Sequence, residues 1–326
     1  MPSPSYELSP CPVCGSGADE QVAGPEEIRS EVEALWEFHT QRLRADTPPV
    51  HLVDRVAFSQ HPPLRVGRCT TCGLVFRNPR ERAFALRDVY AGERPDDAVL
   101  ARLLDAQRAA YAAQAARLAE VAGGSGRVLE VGSYVGGFLQ AAGEAGWRAV
   151  GLDVNAAANR FARGRGLTVA EGDLASFVAD APFDAVAVWN CFDKLPDPRE
   201  AALRAHALLR PGGLLAVRVP NGAFYAAVRP HLAGAGAALA RALLAHNNLL
   251  TFPYRHGFTP SSLARLLDAT GFVVERTYGD TLVPIADEWT QAWAASEERA
   301  LKGALRLLAA DEAEAAPWLE VYGRRG

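Results

Sequence analysis

The stretch Val128-Leu-Glu-Val-Gly-Ser-Tyr-Val-Gly-Gly-Phe138 decides the fold. Residues 127–131 read as a buried strand, the spaced glycines as a turn, and Gly136 to Ala145 as a helix. Gly132 permits the sharp turn, and Gly136 lets the helix pack close to the strand. The open N–H groups of such a helix start favour an anionic group, a carboxylate or a phosphate. Working outward, Arg148 to Leu152 is a second strand, closed by Asp153 at 153 − 132 = 21 residues past the first glycine. At that place a carboxylate can accept both hydroxyls of a ribose. The short run Leu167 to Ala170 is closed by Glu171-Gly-Asp173-Leu174, where an acid meets an adenine amino group. Helices at Ala156 to Arg163 and Asp197 to Leu209 alternate with strands at Phe183 to Trp189 and Leu214 to Val219, the last after Pro211-Gly-Gly213. Strands separated by helices predict βαβ units and a parallel sheet covered on both faces, with ligands at the carboxyl ends of the strands. The set as a whole predicts a nucleoside-containing cofactor without naming it.

Further along, Pro260 to Ala269 reads as a helix, Phe272 to Tyr278 as a strand, Glu288 to Ala310 as a helix and Trp318 to Gly323 as a closing strand. Upstream, an alanine-rich helix spans Asp96 to Ala122. Ahead of it lie two CxxC pairs, Cys11-Pro-Val-Cys14-Gly15 and Cys69-Thr-Thr-Cys72-Gly73. A CxxC followed by glycine makes a knuckle that turns two thiolates to one point, and two knuckles suit tetrahedral Zn²⁺. A redox reading would need one such pair at the start of a helix in a βαβ unit, which neither has. Cys11, Cys14, Cys69 and Cys72 are therefore expected to hold a structural zinc; iron fits the same donors. The segment between the knuckles opens with a helix, Ile28 to Leu43, followed by strand-like runs at His51 to Phe58 and Leu64 to Arg68, with Leu74-Val75-Phe76 beyond. The fifth cysteine, Cys191, reads as a small buried hydrophobe. This divides the chain into a zinc-binding module with a helical insertion, 1–95, and a cofactor-binding domain, 96–326, in which 222–258 forms an insertion expected to act as a substrate lid.

At this point the sequence resembles a known family, the class I S-adenosylmethionine-dependent methyltransferases. Its first motif is matched by Glu130-Val-Gly132-Ser-Tyr134-Val-Gly136, its fourth-strand motif by Phe183-Asp-Ala-Val-Ala-Val-Trp-Asn190, and the following segments by Leu195-Pro-Asp-Pro198, Leu208-Leu-Arg-Pro-Gly-Gly213, Gly257-Phe-Thr-Pro260, Leu266-Leu and Gly271-Phe272. A four-cysteine module ahead of such a core is similar to the group that includes sugar C-methyltransferases, whose second knuckle also continues as Cys-Gly, an apolar run and Asn-Pro. The resemblance implies a doubly wound, mostly parallel, seven-stranded Rossmann-like sheet in the α/β class. It implies S-adenosylmethionine as cofactor, with Glu130, Gly132, Ser133 and Gly136 along its methionine end, Asp153 at the ribose, Asp173 and Leu174 at the adenine, Asn190 and Phe192 flanking the sulfonium, and Tyr134 and Val154 also among the cofactor-binding residues. Two positions depart from the pattern. Tyr134 stands where the family has its middle glycine, so its side chain must turn away from the cofactor or lie over it. Lys194 stands where many relatives carry a histidine, so no general base carries over there. Tyr254 and His256 close the insertion and are the candidate general bases; the bland reading of each is a loop residue that packs or caps a helix.

The formal net charge is −4, from 34 basic and 38 acidic residues, with two lysines in all, Lys194 and Lys302. A slightly acidic chain without a basic run disfavours nucleic acid as a partner. The start, MPSPSYELSP, has neither a basic nor an apolar export region, and no uncharged apolar run reaches the roughly 18 residues of a membrane span. A cytoplasmic protein acting on a small molecule is expected, of undetermined oligomeric state. The sugar-modifying relatives carry a further C-terminal domain, whereas this chain ends just after its expected last strand, so C-, O- and N-methylation stay open. The loop and the departures at Tyr134 and Lys194 also bear on two other classes. A nicotinamide-dependent oxidoreductase would show GxGxxG, where this loop reads Gly-x-x-x-Gly-Gly. A retired enzyme serving as a zinc-dependent binding or assembly module would bind the cofactor no better than millimolar.

Overall fold

The computed structural model describes residues 6–49, 51–52, 62–82, 90–92, 96–251, 254–284, 287–310 and 312–326. The chain forms two compact units, one of Met1–Arg80, Val219–Leu263 and Tyr278–Glu320, the other of Glu81–Arg218, Ala264–Thr277 and Val321–Gly326. The fold is α/β, built on a seven-stranded, mostly parallel, Rossmann-like sheet. Its strands are β1 (Arg127–Val131), β2 (Arg148–Asp153), β3 (Val169–Glu171), β4 (Phe183–Trp189), β5 (Leu209–Pro220), β6 (Phe272–Asp280) and β7 (Trp318–Arg325). They stand in the order β6-β7-β5-β4-β1-β2-β3. The pairs β1–β2, β1–β4, β2–β3 and β4–β5 are parallel, with Glu130 opposite Gly151 on one side and Ala187 on the other. Chain progress reverses direction across the sheet on either side of β1, and at such a switch point the carboxyl ends of the strands leave a crevice.

Helix α1 (Asp97–Ala122) is capped by the Asp96 carboxylate, which accepts the Ala98 N–H at 2.7 Å, and ends at Gly123 in the left-handed region, φ +75°. It packs on α2 (Gly137–Glu144) so closely that a Cβ at Gly137 would collide with Gln107. Helix α3 (Ala156–Gly164) begins at Asn155, whose side chain caps Ala158 N at 2.9 Å.

The unit with the cysteines carries a four-stranded sheet in the order His256–Gly257, Val75–Arg77, Val66–Cys69, Asp19–Ala23, all neighbours antiparallel. The helix Pro25–Arg42 starts with Pro25 and with Glu27 bonded back to the Gly24 N–H at 2.7 Å. Ile28, Leu35 and Phe38 lie on one face of it and join Phe224, Tyr225 and Leu244 in a core.

Several boundaries differ from the sequence reading. Strand β5 starts at Leu209 rather than Leu214, because Pro211-Gly-Gly213 forms an irregularity inside the strand, where the pairing slips between Leu209 and Leu214. The last long helix is Ala292–Leu308, since Asp287 and Thr290 close a turn ahead of it. Strand Asp19–Ala23 has a polar sequence and forms by pairing with Val66–Cys69. The insertion is helical at Gly222–Val228 and Ala237–Ala245. Of the strand expected at His51 to Phe58, His51 and Leu52 are helical and the rest lies outside the described residues. Among the described residues no helix is long and apolar enough to cross a membrane.

Candidate functional site

The glycine loop leaves β1 through three residues with positive φ: Gly132 at +77°, Tyr134 at +44° and Gly136 at +87°. A Cβ on Gly132 would stand 2.8 Å from the Cys191 sulfur, and one on Gly136 would strike Leu167. Both glycines are thus required twice over, by backbone angle and by close approach. Tyr134 takes the left-handed conformation without being glycine, at a cost of roughly 1–3 kcal/mol. Its ring joins Leu100, Leu103 and Leu104 of α1 and Phe161 of α3, so the side chain turns into an apolar cluster. Most of the loop's donors are used within the fold. Gly132 N and Ser133 N donate to Leu152 O at 2.8 and 3.3 Å, Gly136 N to Ser133 O at 2.8 Å, and Tyr134 N to Asp153 Oδ2 at 2.9 Å.

Asp153 is held by backbone donors. Asn155 N reaches Oδ1 at 2.8 Å while Tyr134 N reaches Oδ2. Burial pushes its carboxyl above the usual range, and the N–H groups of Asn155, Tyr134 and Val154 pull it back. Glu130, 2% exposed, is pushed well above the usual range by burial first and the Asp153 charge second. Its Oε2 accepts no hydrogen bond among the described residues, and the Ser133 hydroxyl has no partner there either. An unpaired buried carboxyl is costly in a dry pocket and becomes favourable when a cation meets it.

Beyond β3, Asp173 Oδ1 accepts the Ser176 N–H at 3.0 Å and the Ser176 hydroxyl at 2.6 Å, a turn cap; Leu174 is buried. Beyond β4, Asn190 stands at φ +55° and Phe192 is buried. Cys191 is partly exposed, and its thiol is pushed up to about 12 by burial, so it is neutral. Asp193 is fully buried and is pushed up to about 7 by burial, against the pull of Lys194. Neither Asp193 oxygen has a hydrogen-bond partner among the described residues. The structure therefore places Glu130, the loop, Asp153, Val154, Asp173, Leu174, Asn190 and Phe192 at the carboxyl ends of β1 to β4, with Glu130, Tyr134 and Asp153 in direct electrostatic or hydrogen-bonded contact.

Three residues of this end escaped the sequence reading: Asp193, Tyr111 and Arg218. Tyr111 is the one aromatic on α1, and Arg218 the one charge in the apolar run Leu214 to Val219; both irregularities were visible. Tyr254 and His256 belong to the unit of the cysteines. Tyr254 is 4% exposed, its ring edge-on to Trp318 at 5.5 Å; His256 is 1% exposed on the short strand opposite Phe76.

In that unit the four cysteine sulfurs lie within 4.8 Å of one another. Cys11 and Cys72 are 3.5 Å apart, Cys14 and Cys69 3.6 Å. The two knuckles repeat the same geometry. Gly15 N donates to Cys11 O and Gly73 N to Cys69 O, each at 2.9 Å, with φ +73° and +77°. A tetrahedral cation with metal–sulfur bonds of about 2.3 Å sets its sulfurs about 3.8 Å apart, so the four donors fit one.

The methyltransferase-domain family matches residues 104–277, just over half of the chain, and the chain belongs to that family. It is an S-adenosylmethionine-dependent methyltransferase. None of the curated proteins matches the sequence. Among solved structures, it is similar to a SAM-dependent methyltransferase from Archaeoglobus fulgidus, at 18% identity over 67% of this chain and 94% of that one, with a TM-score of 0.45. A possible histamine N-methyltransferase from Thermotoga maritima aligns at 17% identity over 68% and 91%, TM-score 0.43. The 1,6-didemethyltoxoflavin-N1-methyltransferase of Burkholderia thailandensis aligns at 19% identity over 65% and 76%, TM-score 0.42.

Proposed function

We propose that the protein transfers the methyl group of S-adenosylmethionine to a small-molecule acceptor, a biosynthetic intermediate or a sugar nucleotide, in the cytoplasm. The observation that carries this reading is the buried, unpaired Glu130 beside Asp153 at the end of a glycine loop, a site shaped for a cationic amino-acid group and a ribose. In this reading Glu130, Gly132, Ser133, Tyr134 and Gly136 line the methionine end of the cofactor. Asp153 and Val154 take the ribose, Asp173 and Leu174 the adenine, and Asn190 and Phe192 the sulfonium. The sulfonium supplies the reactive carbon; the chain's residues hold the acceptor in line with it and exclude water. A base is needed only for a protonated nucleophile. His256 or Tyr254 fills that role here, and His256→Ala with unaltered turnover removes it.

The four cysteines hold a structural zinc, 1–95 is the zinc-binding module, 96–326 the methyltransferase domain, and 222–258 the part of the chain that covers the acceptor. The slightly acidic charge supports a small acceptor over nucleic acid. Calorimetric titration with S-adenosylmethionine tests the assignment. Binding in the micromolar range is expected, and Asp153→Ala should weaken it by about 2–5 kcal/mol through loss of a buried charged contact. Unchanged binding in that variant overturns the ribose role, and millimolar binding by the unmodified protein marks a retired enzyme. Mass analysis of products from candidate acceptors separates C-, O- and N-methylation.

A further inference from the structure

The Arg218 side chain is 2% exposed and donates from Nη1 to Asn190 Oδ1 at 2.6 Å. A guanidinium can only donate, so this contact fixes which end of the Asn190 amide faces it. The Asn190 nitrogen is thereby turned toward Tyr111, and Nδ2 donates to the Tyr111 hydroxyl oxygen at 3.1 Å. An amide nitrogen also only donates, so the tyrosine oxygen accepts and its hydrogen is left for another partner. The Tyr111 hydroxyl makes no other hydrogen bond among the described residues. The ring is fixed edge-on to Phe138 at 6.0 Å, at the start of α2. Glu130 is among the hydroxyl's electrostatic neighbours, and burial together with that charge pushes the phenol up to about 12, so the proton stays on oxygen.

We infer that the chain Arg218–Asn190–Tyr111 is a positioning relay that aims the Tyr111 hydroxyl at the α-carboxylate of the cofactor. The inference rests on the proposed cofactor reading and adds a residue to it. An amino-acid end carries an ammonium and a carboxylate. Glu130 suits the ammonium, and the carboxylate requires donors. Gly132, Ser133, Tyr134 and Gly136 already use their N–H groups within the fold, so the loop is short of them. A neutral, pre-aimed hydroxyl beside Glu130 answers both needs: it donates to the carboxylate and adds no charge.

Two ligands separate this role from simple packing. S-adenosylhomocysteine keeps the amino-acid end; 5′-methylthioadenosine lacks it. Titration calorimetry of Tyr111→Phe should show about 10–100-fold weaker binding of S-adenosylhomocysteine, as for a hydrogen bond to a charged group. Binding of methylthioadenosine should change less than twofold. Asn190→Asp offers Tyr111 an acceptor and draws its hydrogen away; because Asn190 also stands beside the sulfur that both ligands carry, both should weaken, with the extra loss for S-adenosylhomocysteine matching that of Tyr111→Phe, and the double variant should widen that gap little further. Unchanged S-adenosylhomocysteine binding in Tyr111→Phe, an equal loss for both ligands in that variant, or an additive widening of the gap in the double variant would each overturn the relay. Failure of the unmodified protein to bind S-adenosylhomocysteine would instead strike the cofactor reading itself.

Discussion

Two glutamates sit equally deep in this chain, and their surroundings are opposite. Glu31, 3% exposed, accepts from the Tyr225 hydroxyl at 3.2 Å, Arg229 Nε at 2.7 Å and Thr251 N at 2.9 Å. Glu130, 2% exposed, keeps Oε2 without any donor among the described residues and faces a second carboxyl, Asp153. Burial raises the carboxyl pKa of both, but at Glu31 the Arg229 charge and three hydrogen bonds pull it back. The contrast separates a buried charge that serves the architecture from one that serves a ligand. A buried charge that its own fold satisfies is holding elements together. One that its fold leaves unsatisfied costs stability, and the cost is recovered when a ligand of opposite charge binds.

The largest expected effect concerns the zinc proposed at the four cysteines, in the unit that holds Glu31. Strand Asp19–Ala23 joins the first knuckle to the helix of Glu31, and Val22 O accepts from Arg229 at 2.7 Å. Structural zinc in small modules binds with about 10–16 kcal/mol near neutral pH. Cys69→Ser should therefore abolish stoichiometric zinc by elemental analysis and strongly lower the melting temperature. A variant that melts unchanged would detach the Glu31 network from the knuckles.

Next come the glutamates themselves. Glu31→Gln breaks a buried pair with Arg229 and should cost about 3–5 kcal/mol in denaturant unfolding. Glu130→Gln should leave stability at pH 8 equal or higher while weakening S-adenosylmethionine binding by about 1.5–3 kcal/mol. The contrast collapses if both variants lose stability alike.

Asp193 extends the same logic to pH. Burial holds its folded value at about 7, well above the ordinary aspartate value, so the fold prefers the protonated form. That preference contributes stability fully below about pH 4 and loses it as pH rises through about 7. Asp193→Asn should accordingly be more stable than the unmodified protein at pH 8, by up to about 4 kcal/mol, and equal to it near pH 4. Urea titrations at the two pH values decide it; a constant difference would show that Asp193 does not titrate in this range.

The smallest effect belongs to Tyr134→Gly. Glycine relieves the left-handed strain and gives up the contact with Leu100 and Leu104, so the two changes nearly cancel, within about 1 kcal/mol. A larger loss by thermal melting would give the ring more weight than the backbone.

Local rules made much of this readable. The period of the apolar residues and the glycine turns act within a few residues, and the Asp153 spacing spans one βαβ unit; β1, β2 and β4 match the expected bounds to within a residue, while β3 lies at Val169–Glu171, shifted from the expected 167–170. The cysteine knuckles were readable for the same reason, each being a four-residue turn with a glycine behind it. Pairing across distance was not readable. Strand Asp19–Ala23 has no strand composition and exists because Val66–Cys69 lies beside it. Asp193, Arg218 and Tyr111 come from three elements whose convergence no local pattern encodes.

The central strands, the glycine loop and the paired cysteines follow from residue type and local spacing, and the class of chemistry follows from resemblance to a family. Tertiary structure alone decided which buried charges are satisfied. It also gathered residues 219–263 and 278–320 into the unit of the cysteines, and turned the Tyr134 ring into the α1 cluster. Burial and hydrogen-bond partnership depend on residues tens to hundreds of positions apart, and those distances exist only once the chain has folded.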